Sequence, residues 1–443
     1  MKGRPMLWAL ACVASACTSA QLTSQPRPDQ CEPGQQVACQ CTNGSAGTQQ
    51  CAEDGGGYSE CACGDDGGVG EAQSSSSSGS SSGGHGSSSG SGSGSSSGSS
   101  QCPSGMTSCN GVCVNEQTSP SNCGACGLSC QSGTCNKGFC QPVTMSTATS
   151  VGPLSAAAGN LFAIDSTGGV LYGGAVTGSS LPKLVSGLGY PASVLAVASP
   201  AIVYVSEETA NRIDAFTPTG LPMFGMNAQT ANASAPIGLG TDPTNVYWVL
   251  STGVPALMAS PLGQNAPRQV SAVPPGAGTN GPMDYDTATA SLFMESGGSI
   301  VSCPVNGSGC VPFYATPANL QLNDIAVSGA RVYFTLEDSQ GKAGGVFYCP
   351  TSAPCGSPTP LATGSTWSGA RQMTVDASYV YFSAEPVGGL GPSGIFRCSV
   401  NGCGNNPLPV WPFECCVAYM TGDATNIYWD DAGNSVSRLS KLP

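Results

Sequence analysis

From residue 141 to the carboxyl terminus, apolar positions fall in short runs that alternate with polar ones, the two-residue period of half-buried strands. An aromatic or bulky pair recurs along this stretch, as LFAID at Leu161, VYVSE at Val203, VYWVL at Val246, LFMES at Leu292, VYFTL at Val332, VYFSA at Val380 and IYWDD at Ile427. Counted from Leu161 through Tyr204, Tyr247, Leu292, Tyr333, Tyr381 and Tyr428, successive units lie 41 to 48 residues apart. An apolar strand such as DIAVS precedes each pair, a strand ending in a tight polar turn such as SIVSCPVNG follows it, and a short fourth strand such as TPLATG closes the unit. Four strands at this period predict an all-β, seven-bladed β-propeller, because no single blade can bury both of its faces alone.

The seventh unit ends at Ser435 to Pro443 without a fourth strand, and QPVTMSTAT at Gln141 to Thr149 has the pattern of the missing piece. This segment is expected to pair with the last blade and close the ring, which would otherwise leave an open edge.

The VYW, IYW and VYF units resemble the YWTD class of extracytoplasmic propellers over residues 141–443. That class usually has six blades and a Thr-Asp after the aromatic pair, whereas only Trp429-Asp430 comes near it here. Six blades is therefore the alternative if the first unit, which lacks a Tyr, is irregular. The resemblance implies a fold and does not separate binding propellers from enzymatic ones.

Cysteines organise the rest of the chain. Of 24, six lie between Cys31 and Cys63, eight between Cys102 and Cys140, and eight between Cys303 and Cys416. Even clusters in an exported chain predict disulfide frameworks. Cys123-Gly124-Ala125-Cys126 also has the spacing of a zinc knuckle, the rival reading there. Both amino-terminal clusters resemble Cys-rich segments of exported myxobacterial proteins, the second through NGVCVN and NCGACG, and both are expected to act as protease-resistant spacers. Between them, Ser74 to Ser100 contains only Ser, Gly and His85, which makes a flexible tether with an end-to-end distance of roughly 30 Å.

Lys2 and Arg4 precede an apolar run from Met6 to Ala16, too short to span a bilayer and suited to a cleaved export signal. Ala14-Ser15-Ala16-Cys17 resembles a bacterial lipoprotein signal, although that family usually has Leu where Ala14 stands. The resemblance implies lipid on Cys17 and, with Thr18 rather than Asp after it, an outer-membrane address, surface exposure included. An ordinary secretory signal cut after Ala16 or Ala20 is the alternative. The expected plan is a signal over 1–16, an amino-terminal tether over 17–30, a Cys-rich module over 31–63, a disordered Ser/Gly linker over 64–101, a second Cys-rich module over 102–140 and the propeller over 141–443.

Composition then narrows the chemistry. Charged residues make up 9% of the chain and the formal charge is -13, which repels nucleic acid and anionic lipid head groups. Residues 141–443 carry 9 basic and 17 acidic side chains, so a neutral or cationic partner is favoured. His85, the single histidine, lies in the Ser/Gly run, which excludes Ser/His/Asp and Cys/His catalysis and histidine-bound zinc.

Asp242, Asp376 and Asp423 each stand five residues before a repeat tyrosine, where a turn-forming role is favoured over a calcium or substrate ring. Tyr247, Trp248, Tyr333, Phe334, Tyr381, Phe382, Tyr428 and Trp429 are expected to fill the space between sheets, with sugar stacking as the alternative. Cys303 with Cys310, Cys349 with Cys355, and Cys398 with Cys403 are natural local staples, which leaves Cys415 and Cys416. These two either join each other as a rigid platform or cross-link to separate partners. Repeat alignment puts them near one mouth of the channel with Asp324, Trp367, Arg371 and Tyr419, the expected ligand contact zone.

No catalytic residue, metal or cofactor is assigned. The expected role is a monomeric, lipid-anchored, noncatalytic propeller that recognises a protein or glycan and no nucleic acid. The alternative is a calcium-dependent propeller enzyme of lactonase or lyase type that uses channel carboxylates.

Overall fold

The computed structural model describes residues 36–40 and 46–50 and, from 102 to 441, all but 131–132, 148, 150, 230–232, 275–282, 339–343, 364–366, 387–392, 405–406, 414–416 and 431–434. The chain divides into two compact units, 1–95 and 96–443. In the first, Gln36–Gln40 pairs antiparallel with Ala46–Gln50. Cys17 and the Ser/Gly run lie outside the described residues.

In the second unit, seven four-stranded antiparallel sheets follow one another. Blades 1 to 6 span 154–186, 191–227, 233–272, 283–314, 320–363 and 367–413. Blade 7 combines Met420–Gly422, Asn426–Asp430 and Ser435–Ser440 with Val143–Ser146, which pairs to the third of these strands with Met145 opposite Val436. The first strand of every blade touches the first strand of the next, and blade 7 touches blade 1, so first strands line the axis of a closed ring.

The hydrophobic core consists of seven clusters, one at each interface between neighbouring blades. Strand alternation explains the paired aromatics, since consecutive side chains point to opposite faces. Tyr247 packs toward blade 4 and Trp248 toward blade 2, while Tyr428 packs toward blade 1 and Trp429 toward blade 6. All eight repeat aromatics are buried, as expected of spacers between sheets. In blades 1 and 4 the equivalent pairs are Phe162-Ala163 and Phe293-Met294, one residue later than counting from Leu161 and Leu292 places them. Leu161 and Leu292 face the preceding blade instead, and a leucine before the true pair is what misaligns the count.

The second Cys-rich segment is pinned by Cys102–Cys113, Cys109–Cys126, Cys123–Cys135 and Cys130–Cys140, which overturns the zinc reading because both knuckle cysteines are in disulfides. It is not a free spacer. Its cysteines join the core between blades 6 and 7, and a cavity of about 170 Å³ lies where Leu128, Phe139 and Cys140 meet Pro409, Val410 and Leu439. Three further disulfides, Cys303–Cys310, Cys349–Cys355 and Cys398–Cys403, staple the turns between third and fourth strands in blades 4, 5 and 6.

Candidate binding site at the channel mouth

Two kinds of turn define the two ends of the ring. The hairpins between first and second strands carry the repeated aspartates. Asp423 Oδ1 accepts the amides of Thr425 and Asn426, both at 2.7 Å, and Oδ2 accepts the Tyr428 hydroxyl at 2.6 Å. Asp242 does the same with Thr244, Asn245 and Tyr247. Burial alone would raise these carboxyls, but hydrogen bonds, led by the tyrosine hydroxyl, hold both below the ordinary carboxylate value. The five-residue interval is therefore the reach of a turn aspartate to the first aromatic of the next strand. These aspartates are structural.

The opposite end holds the links between blades and the turns between second and third strands. Here an acid at the end of the second strand grips the incoming link. Asp165 accepts Thr149 Oγ1 at 2.8 Å on the way into blade 1, and Glu207 accepts the Gly189 amide on the way into blade 2. Asp430 accepts the amides of Ala418 and Tyr419 at 2.9 and 2.8 Å before blade 7. Glu337 accepts Asn323 Nδ2 at 3.2 Å and pairs with Arg371 Nε, also at 3.2 Å. The signal in the sequence is an acid two to four residues after the first member of the pair in six of the seven units, as in VYVSE and IYWDD, whereas blade 3 continues as Val249-Leu250-Ser251 without one.

Beside Glu207, Arg212 bridges to Asp214 at 2.9 Å. Burial and the adjacent Glu207 push Asp214 up to about 7, while Glu207, despite its burial, is held low by hydrogen bonds from Asp214, Gly189 and Arg212.

Along the channel wall, side-chain oxygens stitch the first strands of blades 1, 4 and 5 each to the next. Ser155 Oγ accepts the Ala196 amide at 2.9 Å, Asp284 Oδ2 that of Val327 at 2.7 Å, and Asp324 Oδ2 that of Met373 at 2.7 Å. The second oxygens of Asp284 and Asp324 accept the amides of Tyr285 and Ile325. Burial pushes Asp284 up to about 6 and Asp324 up to about 7.

The expected contact zone is thus divided. Asp324 is buried in an inter-blade stitch, and Arg371 joins Glu337 and Asn323 between blades 5 and 6. Tyr419 stands directly before the first strand of blade 7, close to Gly152 of the link into blade 1. Burial raises the Tyr419 phenol, and Asp430 and then Tyr190 add to the shift, while Tyr190 itself stands directly before the first strand of blade 2. Trp367 opens the first strand of blade 6, while Cys415 and Cys416 lie outside the described residues. Tyr190 escaped the repeat pattern because it occurs once, in a link, with no counterpart in the other units.

No protein-family model matches the chain, and no curated protein matches it. The propeller is similar in fold to virginiamycin B lyase from Staphylococcus aureus, with 13% identity, 68% of this chain and 99% of that one covered, and a TM-score of 0.53. A catalytically inactive histidine-to-alanine variant of that lyase, solved with quinupristin, gives 14% identity, 68% and 99% coverage and a TM-score of 0.53. Hydrazine synthase from Kuenenia stuttgartiensis is similar at 12% identity, with 67% and 97% covered and a TM-score of 0.54.

Proposed function

We propose that this chain is an exported cell-envelope lipoprotein, held by lipid on Cys17 in the outer membrane, whose propeller recognises a protein or carbohydrate without catalysis. The observation that carries the noncatalytic reading is that Asp284 and Asp324 each spend both oxygens on main-chain amides. A general base must be reachable by substrate, and Asp324 is buried in the wall with each oxygen turned to a main-chain amide.

The disulfides support export, since such bonds persist in oxidising compartments. No described helix is long and apolar enough to cross a membrane, and anchoring is assigned to acyl chains on Cys17. The likeness to the lyase supports the architecture alone. That enzyme is inactive when one histidine becomes alanine, and the only histidine here, His85, lies outside residues 141–443.

The rival is the calcium-dependent enzyme. Among the described residues, the groups of three close ligand atoms are Cys123, Cys130 and Cys140, and Cys109, Glu116 and Cys126, whose cysteines are all in disulfides. Thermal melting of the full chain with and without calcium separates the two. A recognition propeller keeps its Tm, whereas a built calcium site raises it by mass action. Capture of a surface glycan or protein from intact cells by the full chain is the positive test.

A further inference from the structure

We propose that Tyr190 is the stacking platform of a site for neutral carbohydrate at the channel mouth, a specific form of the recognition role above. The link that carries it reads Gly187-Leu188-Gly189-Tyr190, immediately before the first strand of blade 2. Tyr190 sits at φ 54° with its side chain 46% exposed. A bulky residue in the left-handed region is strained, and glycine would relieve that strain. Glycine fills most such positions among the described residues, including Gly187 and Gly169 in the same corner, and the other exceptions are Asn110, Lys137, Ala158, Asn211, Ala235 and Ala290, so Tyr190 is the one aromatic among them. An exposed ring kept where its backbone is unfavourable is kept for what the ring meets.

The backbone beneath the ring is clamped from both sides. Leu188 is buried, and its amide bonds the Gly169 carbonyl of blade 1 at 3.0 Å. The carbonyls of Gly189 and Tyr190 accept the amides of Thr209 and Glu208 of blade 2, both at 3.2 Å, and Glu207 holds the Gly189 amide. A methyl group on Gly189 would come within 2.9 Å of Thr209 Oγ1 and 3.1 Å of Glu207 Oε2, so the link cannot shift freely. The backbone that carries the ring is therefore pre-ordered, and little main-chain entropy is lost when a ligand lands on it.

The surroundings select the ligand class. The neighbours of Tyr190 in the link and the facing turn are Gly187, Gly189, Glu208 and Thr209, with Leu188 turned inward. A protein partner needs a contiguous apolar centre of several side chains. A sugar ring needs one aromatic face for its C–H groups and a fringe of hydroxyl and carboxyl partners, which Thr209 and Glu208 supply in this corner. The acidic balance of residues 141–443 disfavours uronic-acid polymers and leaves neutral glycans.

The test is calorimetric titration of the full chain with cello-, chito-, xylo- and malto-oligosaccharides, with a uronic-acid oligomer as the anionic control. The unchanged protein binds at least one neutral series more tightly than the control. Tyr190→Gly weakens that binding at least about tenfold while its Tm stays level or rises, and Tyr190→Trp stays within about threefold of the original. Binding to none of the neutral series, equal binding by Tyr190→Gly, or a lowered Tm in Tyr190→Gly overturns the assignment. If the full chain and Tyr190→Gly capture the same cell-surface protein but no glycan, the carbohydrate site fails and the recognition role survives. If neither protein nor glycan is captured, both fail.

Discussion

Lys441 Nζ lies 3.2 Å from Asp376 Oδ2, so the last described residue of the chain is tied to the first hairpin of blade 6. In blades 3 and 7 the equivalent aspartate oxygen takes a tyrosine hydroxyl, but here the Tyr381 hydroxyl donates to no carboxylate and Lys441 rests over its ring. An ionic latch has replaced the repeat's own hydrogen bond. Lys441→Met should cost about 1 kcal/mol, because Tyr381 can then reach Asp376 as its counterparts do. The pair Lys441→Met with Tyr381→Phe should cost more than the sum of the single changes, a coupling that denaturant melts of all four proteins would measure. Additive costs would show that Tyr381 does not take over.

Ring closure rests on Met145, fully buried between blades 7 and 1. Its strand bonds blade 7, and Ser146 exchanges hydrogen bonds with Ser179 and Leu181 of blade 1. Met145→Ala should lower stability by about 3 kcal/mol, and removing Gln141 to Thr149 should lower it far more by freeing an edge strand. Differential scanning calorimetry reads both, and an unchanged Tm in the deletion would contradict closure through this segment.

The blade count was legible because seven units repeat one physical solution, an apolar side chain for each face of each sheet, aromatic on both faces in blades 3, 5, 6 and 7. Tyr247-Trp248 and Tyr428-Trp429 announce it plainly. Leu161 and Leu292 misled by one residue because apolar side chains occur on both faces of a buried strand, and only packing tells which belongs to the pair. At the mouth, Asp324 and Arg371 could be placed by alignment, yet their use as inter-blade stitches depends on neighbours 34 to 49 residues away. Tyr190 left no periodic trace, and its left-handed backbone has no signature in residue type. The docking of the second Cys-rich segment was hidden for a related reason, since cysteine spacing says nothing about which faces of a disulfide frame are apolar.

The turn aspartates make their own prediction. Tyr428→Phe removes the hydroxyl that Asp423 accepts and should cost about 1 kcal/mol, with Tyr247→Phe similar. Tyr381→Phe should cost less than either, because its hydroxyl reaches no carboxylate. Chemical denaturation of the three variants checks the order, and a Tyr381→Phe loss equal to the others would show that the latch had been misjudged.

Two populations of aspartate should bend the stability of the ring with pH in opposite directions. Asp242, Asp376 and Asp423 are held below the ordinary value of 3.8, so their contribution is present above it and lost as pH falls through their folded values. Asp284 and Asp324 are raised to about 6 and about 7, so the folded chain keeps protons that the unfolded chain has released. Their contribution is complete below 3.8 and is lost as pH rises through 6 and 7. The Tm should therefore peak near about pH 4 and decline toward about pH 7. Asp324→Asn cannot release a proton, and its amide oxygen can still accept the Met373 amide, so this variant should flatten the decline between about pH 4 and about pH 7. Calorimetry across that range reads the slope directly. A slope unchanged by Asp324→Asn would show that the wall carboxylate stays charged, stabilised by its two amides more strongly than burial opposes it.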